Sequence, residues 1–143
     1  MRKLIRCLGL CALLAALVAT AQASVVWFDT DLSLGSPLRE VDDAYALLLA
    51  VRLPELRIAG MSTTYGNAPV HSVTERTRKS LGAFGFDVMV NPGAASARDL
   101  GRATAASDCA RGGFASAKIY LALGPLTNVA TFLQLHPEAA KRI

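Results

Sequence analysis

Cysteine is scarce in this chain of 143 residues: there are three, and Cys7 and Cys11 both fall within the first 23 positions. Cys109 is then alone in the remainder, which excludes an internal disulfide even in an oxidising compartment. It reads as a small, half-buried apolar residue rather than a nucleophile. Histidine is equally thin, with His71 at the start of a helical period and His136 in Leu135-His136-Pro137. Each reads as a solvent-facing or capping residue, not as a proton donor. No lysine and arginine run with interleaved aromatics is present to track a phosphate backbone, which argues against nucleic acid as a partner. The apolar stretch from Cys7 to Ala19 falls short of the roughly 20 residues a membrane-crossing helix needs. No internal repeat or low-complexity tract occurs beyond the alanine-rich start.

What that start contains is a pattern of export. Arg2, Lys3 and Arg6 precede the apolar stretch, and Ala21-Gln22-Ala23 follows it, as in a secretory signal peptide cleaved after Ala23. The expected organisation is a leader at 1–23 and one α/β domain at 24–143, secreted or periplasmic, with no stable membrane insertion after cleavage. Three of the fifteen basic residues leave with the leader, so twelve remain against eleven acidic ones. The net charge of +4 belongs largely to the leader. The remaining length suits one compact domain.

Short β-rich runs alternate with helical periods along that domain. Val25 to Phe28 is a continuous apolar strand; Val41 to Leu53 is a helix with Ala44, Leu47, Leu48 and Val51 on one face, ended by Pro54. Leu56 to Thr63 is a second strand running into the turn Thr64-Tyr65-Gly66-Asn67. Val70 to Phe84 is a helix with Val73, Thr77, Leu81 and Phe84 in line and Glu75, Arg76, Arg78 and Lys79 facing water. Asp87 to Val90 reads as a third strand, Asn91-Pro92-Gly93 as a turn, and Asp99 to Ala110 as a helix broken by Gly112-Gly113. Ile119 to Leu123 is a fourth strand, and Leu126 to Leu135 a last helix after Gly124-Pro125. The alternation predicts a mostly parallel sheet flanked by helices, a Rossmann-like α/β fold with its site at the carboxyl ends of the strands.

Two acidic clusters stand out against this frame. Asp29-Thr30-Asp31 ends the first strand, and Asp42-Asp43 opens the following helix, where the macrodipole favours carboxylates. Four carboxylates near one strand tip either bind a hard cation or repel one another. Gly66-Asn67 and Leu123-Gly124 fall on the same rim.

In order along the chain, Asp29-Thr30-Asp31, Gly35, Asp42-Asp43-Ala44, Pro54-Glu55-Leu56, Gly60, Gly66-Asn67, Gly124-Pro125-Leu126-Thr127-Asn128-Val129-Ala130 and Pro137-Glu138 resemble the inosine/uridine-preferring nucleoside hydrolases. The resemblance covers nearly the whole domain, and it implies hydrolysis of the N-glycosidic bond of a ribonucleoside, giving ribose and a free base, with one calcium ion. Carried over by position, Asp31 and Asp43 would be calcium ligands with the main-chain carbonyl of Leu123. Asp31 would also accept the proton of the attacking water, Asp42 and Asn67 would bind ribose hydroxyls, and Asp29 would shape the cluster from behind. General chemistry is consistent with those roles. Calcium takes six to eight oxygen ligands; carboxylates can stabilise an oxocarbenium-like sugar without covalent attack.

The chain departs from the family pattern in two places. Leu32 to Val41 lies between the two acidic clusters, where most members have only a few residues. A further calcium-binding aspartate, a neighbouring histidine and several nucleoside contacts are supplied in the family by a C-terminal half that this sequence lacks, so the fold is expected to be incomplete at that end. The open sheet edge this leaves would allow association between copies. Two other readings stay beside the hydrolase. One is a non-catalytic secreted binder of calcium or ribose. The other takes the apolar strand ending in Asp29-x-Asp31 as resembling haloacid-dehalogenase-type phosphatases, with Asp29 as phosphoryl acceptor and magnesium as the metal.

Overall fold

The computed structural model describes residues 23–35, 41–114, 117–138 and 141. The expected leader, apart from Ala23, and positions 36–40 of the loop between the acidic clusters lie outside the described residues. Among those described, no helix is long and apolar enough to cross a membrane.

Four strands, β1 (Ser24–Thr30), β2 (Leu56–Thr63), β3 (Val90–Pro92) and β4 (Ile119–Ala122), form one sheet in the order β3-β2-β1-β4, and every pairing is parallel. The helices are α1 (Asp42–Arg52), α2 (Val70–Phe84), α3 (Ala105–Phe114) and α4 (Thr127–Leu135). The expected α/β sandwich is what forms. Alternation along β1 divides its side chains between two cores. Phe28 packs with Leu32, Ala44, Leu47, Met61, Leu81 and Val90 on the side of α1 and α2. Trp27 packs with Ala110, Ala117 and Phe132 on the side of α3 and α4.

Several expected boundaries shift for identifiable reasons. On α1 the inward residues are Asp43, Ala44, Leu47 and Ala50, whereas Leu48 and Val51 are only half-buried. The face is turned so that Asp43 points in. The third strand begins at Val90 rather than Asp87, because only Val90, Asn91 and Pro92 find partners, opposite Met61, Ser62 and Thr63 of β2. Pro92, which has no N–H to donate, is tolerated because β3 is an edge strand. Arg76 does not simply face water: its Nη1 donates to the carbonyls of Ser33 and Leu34, 3.1 Å each, and ties α2 to the loop after β1.

The expected helix at Asp99–Ala110 divides in two. Ala97–Asp99 is one 3-10 turn closed by a Ser96/Asp99 capping box, and Gly101 at φ +77° turns the chain away. A second reciprocal pair then starts α3, Thr104 N–H donating to Ser107 Oγ and Ser107 N–H to Thr104 Oγ1. Gly112-Gly113 does not break α3, which continues through it to Phe114. At Gly113 the glycine answers to Trp27. A Cβ on Gly113 would overlap the indole, and one on Gly60 of β2 would meet its Cζ3 at 2.6 Å, so the ring lies between two glycines. Cys109 is half-buried beside this cluster, as its sequence context suggested. Alanine at 113 would gain roughly 1 kcal/mol of helix propensity but overpack the ring at a cost of about 1–3 kcal/mol. Gly113→Ala is therefore expected to lower stability in urea denaturation. An unchanged or raised midpoint would refute the packing role given to that glycine.

Candidate active site

From β1 the chain moves through α1 to β2 and through α2 to β3, then returns past both to place β4 on the far side of β1. The topological switch point therefore lies between β1 and β4. In open parallel sheets a crevice forms at that point, outside the carboxyl ends of the strands. Here those ends are Asp29-Thr30-Asp31 and Ala122-Leu123-Gly124.

The strand's alternation sends neighbouring side chains to different partners. Asp29, fully buried, points to the α4 side: its Oδ1 accepts from Ser62 Oγ and from Asn128 Nδ2 at 2.9 Å. Its Oδ2 is buried without a hydrogen-bond partner. Burial pushes the Asp29 carboxyl up to about 7, against the hydrogen bonds from Ser62 and Asn128 and with the charges of Asp31 and Asp43 adding to the rise. Ser62 also receives the Trp27 Nε1–H at 2.9 Å. Tyr120 of β4 stands 3.5 Å from the same hydroxyl, and burial, reinforced by the charge of Asp29, holds its phenol above the usual range.

Thr30 points the other way, toward α1. Its hydroxyl donates to Asp43 Oδ2 and accepts the Leu32 N–H at 3.1 Å, while the Asp31 N–H reaches the same Asp43 oxygen at 3.2 Å. Asp43 is buried, and desolvation raises its carboxyl pKa above the ordinary value, opposed mainly by the Thr30 hydrogen bond. Asp42, one residue earlier, is exposed. The two acidic clusters thus meet.

Asp31 follows the strand end and is also buried. Its Oδ2 accepts the Asn67 backbone N–H at 2.8 Å. Two glycines leave room for this carboxylate: a Cβ on Gly66 would overlap Oδ2, and one on Gly124 would sit 3.0 Å from Oδ1. Leu123 donates its N–H to the Asp29 carbonyl at 2.9 Å, which fixes the segment before Gly124 against β1. Asp29, Asp31, Asp43, Asn67 and Leu123 therefore share one rim, as their places in the sequence suggested. His136 does not join them: it ends α4, at the opposite end of the sheet, beside the Phe132 ring. His71 is exposed on the first turn of α2. The phosphatase reading loses its nucleophile, because Asp29 is fully buried and anchored by two donors.

Sequence reasoning missed three residues that organise the rim: Thr30, Ser62 and Asn128. Thr30 stood in plain view between two aspartates, and the strand's alternation would have aimed it at the helix that follows. Ser62 carried no local signal, and Asn128 stood in the Gly124–Ala130 segment of the family resemblance with no role attached to it.

These residues fit a hard cation. Asp31 and Asp43 each have one oxygen anchored by hydrogen bonds, Asp29 has an orphaned buried oxygen, and the cradle is closed by glycines. Every donor is oxygen, the ligand type of calcium and magnesium rather than zinc or copper. Among the described residues, no three histidine, cysteine, aspartate or glutamate side chains converge as a ready-made metal cluster. A cation here would also need main-chain oxygen or other ligands. A hollow of about 490 Å³ between the Leu34-Gly35 turn and α2, lined by Ser72, Arg76, Lys79 and Phe84 among others, touches none of these carboxylates.

A family model described as inosine-uridine preferring nucleoside hydrolase matches residues 26–143. Among solved structures, a plant nucleoside hydrolase, the PpNRh1 enzyme, is similar with a TM-score of 0.69 and 27% identity, over 83% of this chain and 45% of that one. An inosine-guanosine nucleoside hydrolase is similar in fold, with a TM-score of 0.66 and 22% identity over 84% of this chain and 45% of that one. The chain thus spans less than half the length of the solved structures it resembles. None of the curated proteins compared matches the sequence.

Proposed function

Because the chain belongs to the inosine-uridine preferring nucleoside hydrolase family, we propose that it serves hydrolysis of the N-glycosidic bond of ribonucleosides, using the β1 rim and one calcium ion. The observation that carries this reading is the meeting of Asp29, Asp31 and Asp43 at the switch point, all buried, with no basic side chain among the described residues offsetting the raised Asp29 and Asp43 carboxyls. Asp31, Asp43 and the Leu123 carbonyl would hold the ion. Bound calcium would supply the positive charge that makes water easier to deprotonate.

The chain's own groups do the rest. Asp31 is held through Oδ2 by the Asn67 N–H, which leaves Oδ1 to take a proton from an attacking water. Asp42, exposed beside buried Asp43, would accept from ribose hydroxyls. The Asn67 side chain, on a turn whose backbone is already tied to Asp31, would contact the same sugar. As the glycosidic bond lengthens, positive charge gathers on the ribose ring, and the carboxylates facing it stabilise that charge without forming a bond to it. Export to the periplasm or the exterior, read from residues 1–23, belongs to the same proposal, as does association through the open sheet edge.

The test is calorimetric titration of residues 24–143 with calcium and then with inosine, with released hypoxanthine monitored. Binding with release supports the hydrolase; binding of both without release supports the non-catalytic binder; no calcium uptake removes the metal from the proposal. Asn67→Ala separates the roles further. The backbone N–H that anchors Asp31 survives this change, so calcium affinity is expected to stay within about twofold while nucleoside affinity falls roughly tenfold, the loss of one hydrogen bond to a polar group. Equal loss of both affinities would show that the Asn67 side chain has no separate sugar role.

A further inference from the structure

The first turn of α4 holds none of the roles assigned above, yet it bonds to several of the segments that carry them. Asn128 is buried and uses its whole amide. Its Nδ2 donates to Asp29 Oδ1 at 2.9 Å and to the Thr63 carbonyl at 3.0 Å, and its Oδ1 accepts the Ala94 N–H at 2.8 Å. The orientation is unambiguous, since a flipped amide would set Oδ1 against two acceptors and Nδ2 against a donor. A Cβ on Gly93 would overlap this amide, so the chain after β3 is shaped to receive it.

The contacts then continue toward the site. The Ala94 carbonyl accepts the Tyr65 N–H at 3.0 Å, and the Tyr65 hydroxyl lies 3.1 Å from Thr127 Oγ1. Two residues along the same turn, the Asn67 N–H donates to Asp31. Asn128 therefore touches the back of the aspartate cluster and both ends of the path to the turn carrying Asn67.

We infer that Asn128 is a positioning residue for this site: its amide sets Asp29 and the Thr64–Asn67 turn in one register, and through that turn it sets Asp31. The consequence for ligands rests on the calcium-dependent reading above, whereas the consequence for the turn does not. Alanine would leave Asp29 Oδ1 with Ser62 alone, leave the Thr63 carbonyl with only the Gly93 N–H, and strip the partner of the Ala94 N–H. The loss would be felt in the turn before it was felt in the paired strands.

Amide hydrogen exchange, followed by NMR on the full chain, tests this. In Asn128→Ala, the amides of Tyr65, Asn67 and Ala94 are expected to exchange at least about tenfold faster, while those of β1 and β4 keep their rates. Thr131→Ala serves as the control. It lies one turn further along the same helix and loses only the bond from the Gly101 N–H, at 3.0 Å. It should leave the turn's protection alone. Unchanged protection of Tyr65 and Asn67 in Asn128→Ala, or the same change in Thr131→Ala, would overturn the inference. Should Asn128→Ala fail to fold, the wild-type chain decides: the Asn128 side-chain amide protons should exchange far more slowly than those of the half-exposed Asn67 side chain, and comparable rates would refute the role. Calcium titration adds the functional arm. Affinity is expected to fall about tenfold in Asn128→Ala and not in Thr131→Ala; faster turn exchange with calcium affinity unchanged would overturn positioning of the site. If wild type takes up no calcium, the proposed function fails, and the exchange rates alone still decide the role of Asn128.

Discussion

Asp31→Asn should weaken calcium binding by at least about a hundredfold while leaving the calcium-free protein as stable as wild type or slightly more so. The two halves of this expectation come from different atoms. The structural bond from the Asn67 N–H ends on Asp31 Oδ2, and an asparagine oxygen can accept it equally well. The charge, however, repels its neighbours: Asp31 contributes to the raised carboxyl pKa of both Asp29 and Asp43. Removing that charge relieves the cluster when no cation is present. When a cation is present, the same substitution would remove a direct ligand if Asp31 holds the ion as proposed. Loss of groups that merely orient ligands costs about 10–100-fold in metal affinity, so loss of a ligand should fall at the upper end or beyond. Thermal melts in chelator and in calcium separate the two effects. Saturating calcium at about 100 times its Kd stabilises the folded state by roughly 2.7 kcal/mol, and that increment should fall to about 0.4 kcal/mol or less in Asp31→Asn at the same calcium concentration. A variant that is less stable in chelator and keeps the calcium increment would make Asp31 a structural residue and remove it from the metal site.

How much of this was legible beforehand depended on the range of the interaction. β2 and α2 were read to their observed ends, because one is an apolar run bounded by Pro54 upstream and a turn, and the other a long amphipathic period stopped at Gly85, whose φ is +78°. The rim residues Asp31, Asp43 and Asn67 were legible because each sits just past a strand or at a helix start, where the doubly wound topology gathers them. β3 and α3 were misread where the deciding contacts were distant. The limits of β3 depend on which residues of β2 remain to pair, and α3 carries a glycine at 113 because Trp27, on β1, occupies the space a side chain would take. Asn128 illustrates the limit best. Its partner Asp29 is 99 positions away, and although the segment around it carries the family resemblance, nothing in Thr127-Asn128-Val129 says that the asparagine is a buried hub rather than a helix start.

The division of labour along β1 explains why the rim tolerates so much buried charge. Odd positions Trp27 and Asp29 look toward α3 and α4, and even positions Phe28 and Thr30 toward α1 and α2. Each buried carboxylate is consequently met by donors from a different layer: Ser62 and Asn128 for Asp29, Thr30 and a backbone N–H for Asp43, a turn N–H for Asp31. Hydrogen bonds of this kind replace part of the lost hydration but add no positive charge. The charges of Asp31 and Asp43 still raise the Asp29 carboxyl, and a cation bound as proposed would relieve that repulsion.

Gly66→Ala is the substitution expected to damage the fold and the site together. Gly66 has φ +146°, a backbone conformation that side chains rarely adopt, with a strain of about 1–3 kcal/mol for any other residue. A Cβ there would also overlap Asp31 Oδ2 and come within 3.1 Å of Pro125 Cδ. The carboxylate cannot retreat without losing the Asn67 N–H, and overpacking of this kind adds roughly 1–3 kcal/mol. Gly124→Ala is the informative comparison, because its Cβ would approach Asp31 Oδ1 at 3.0 Å and Thr64 Cγ2 at 2.8 Å without a positive φ. Both variants should lose calcium affinity, since both press on the same carboxylate from opposite oxygens, but Gly66→Ala should lose more stability in urea. If the two unfold at the same denaturant concentration, backbone strain at Gly66 contributes nothing and the glycine serves Asp31 alone. If Gly66→Ala matches wild type in both stability and calcium uptake, the Asp31 carboxylate does not occupy the position from which its role in the site has been argued.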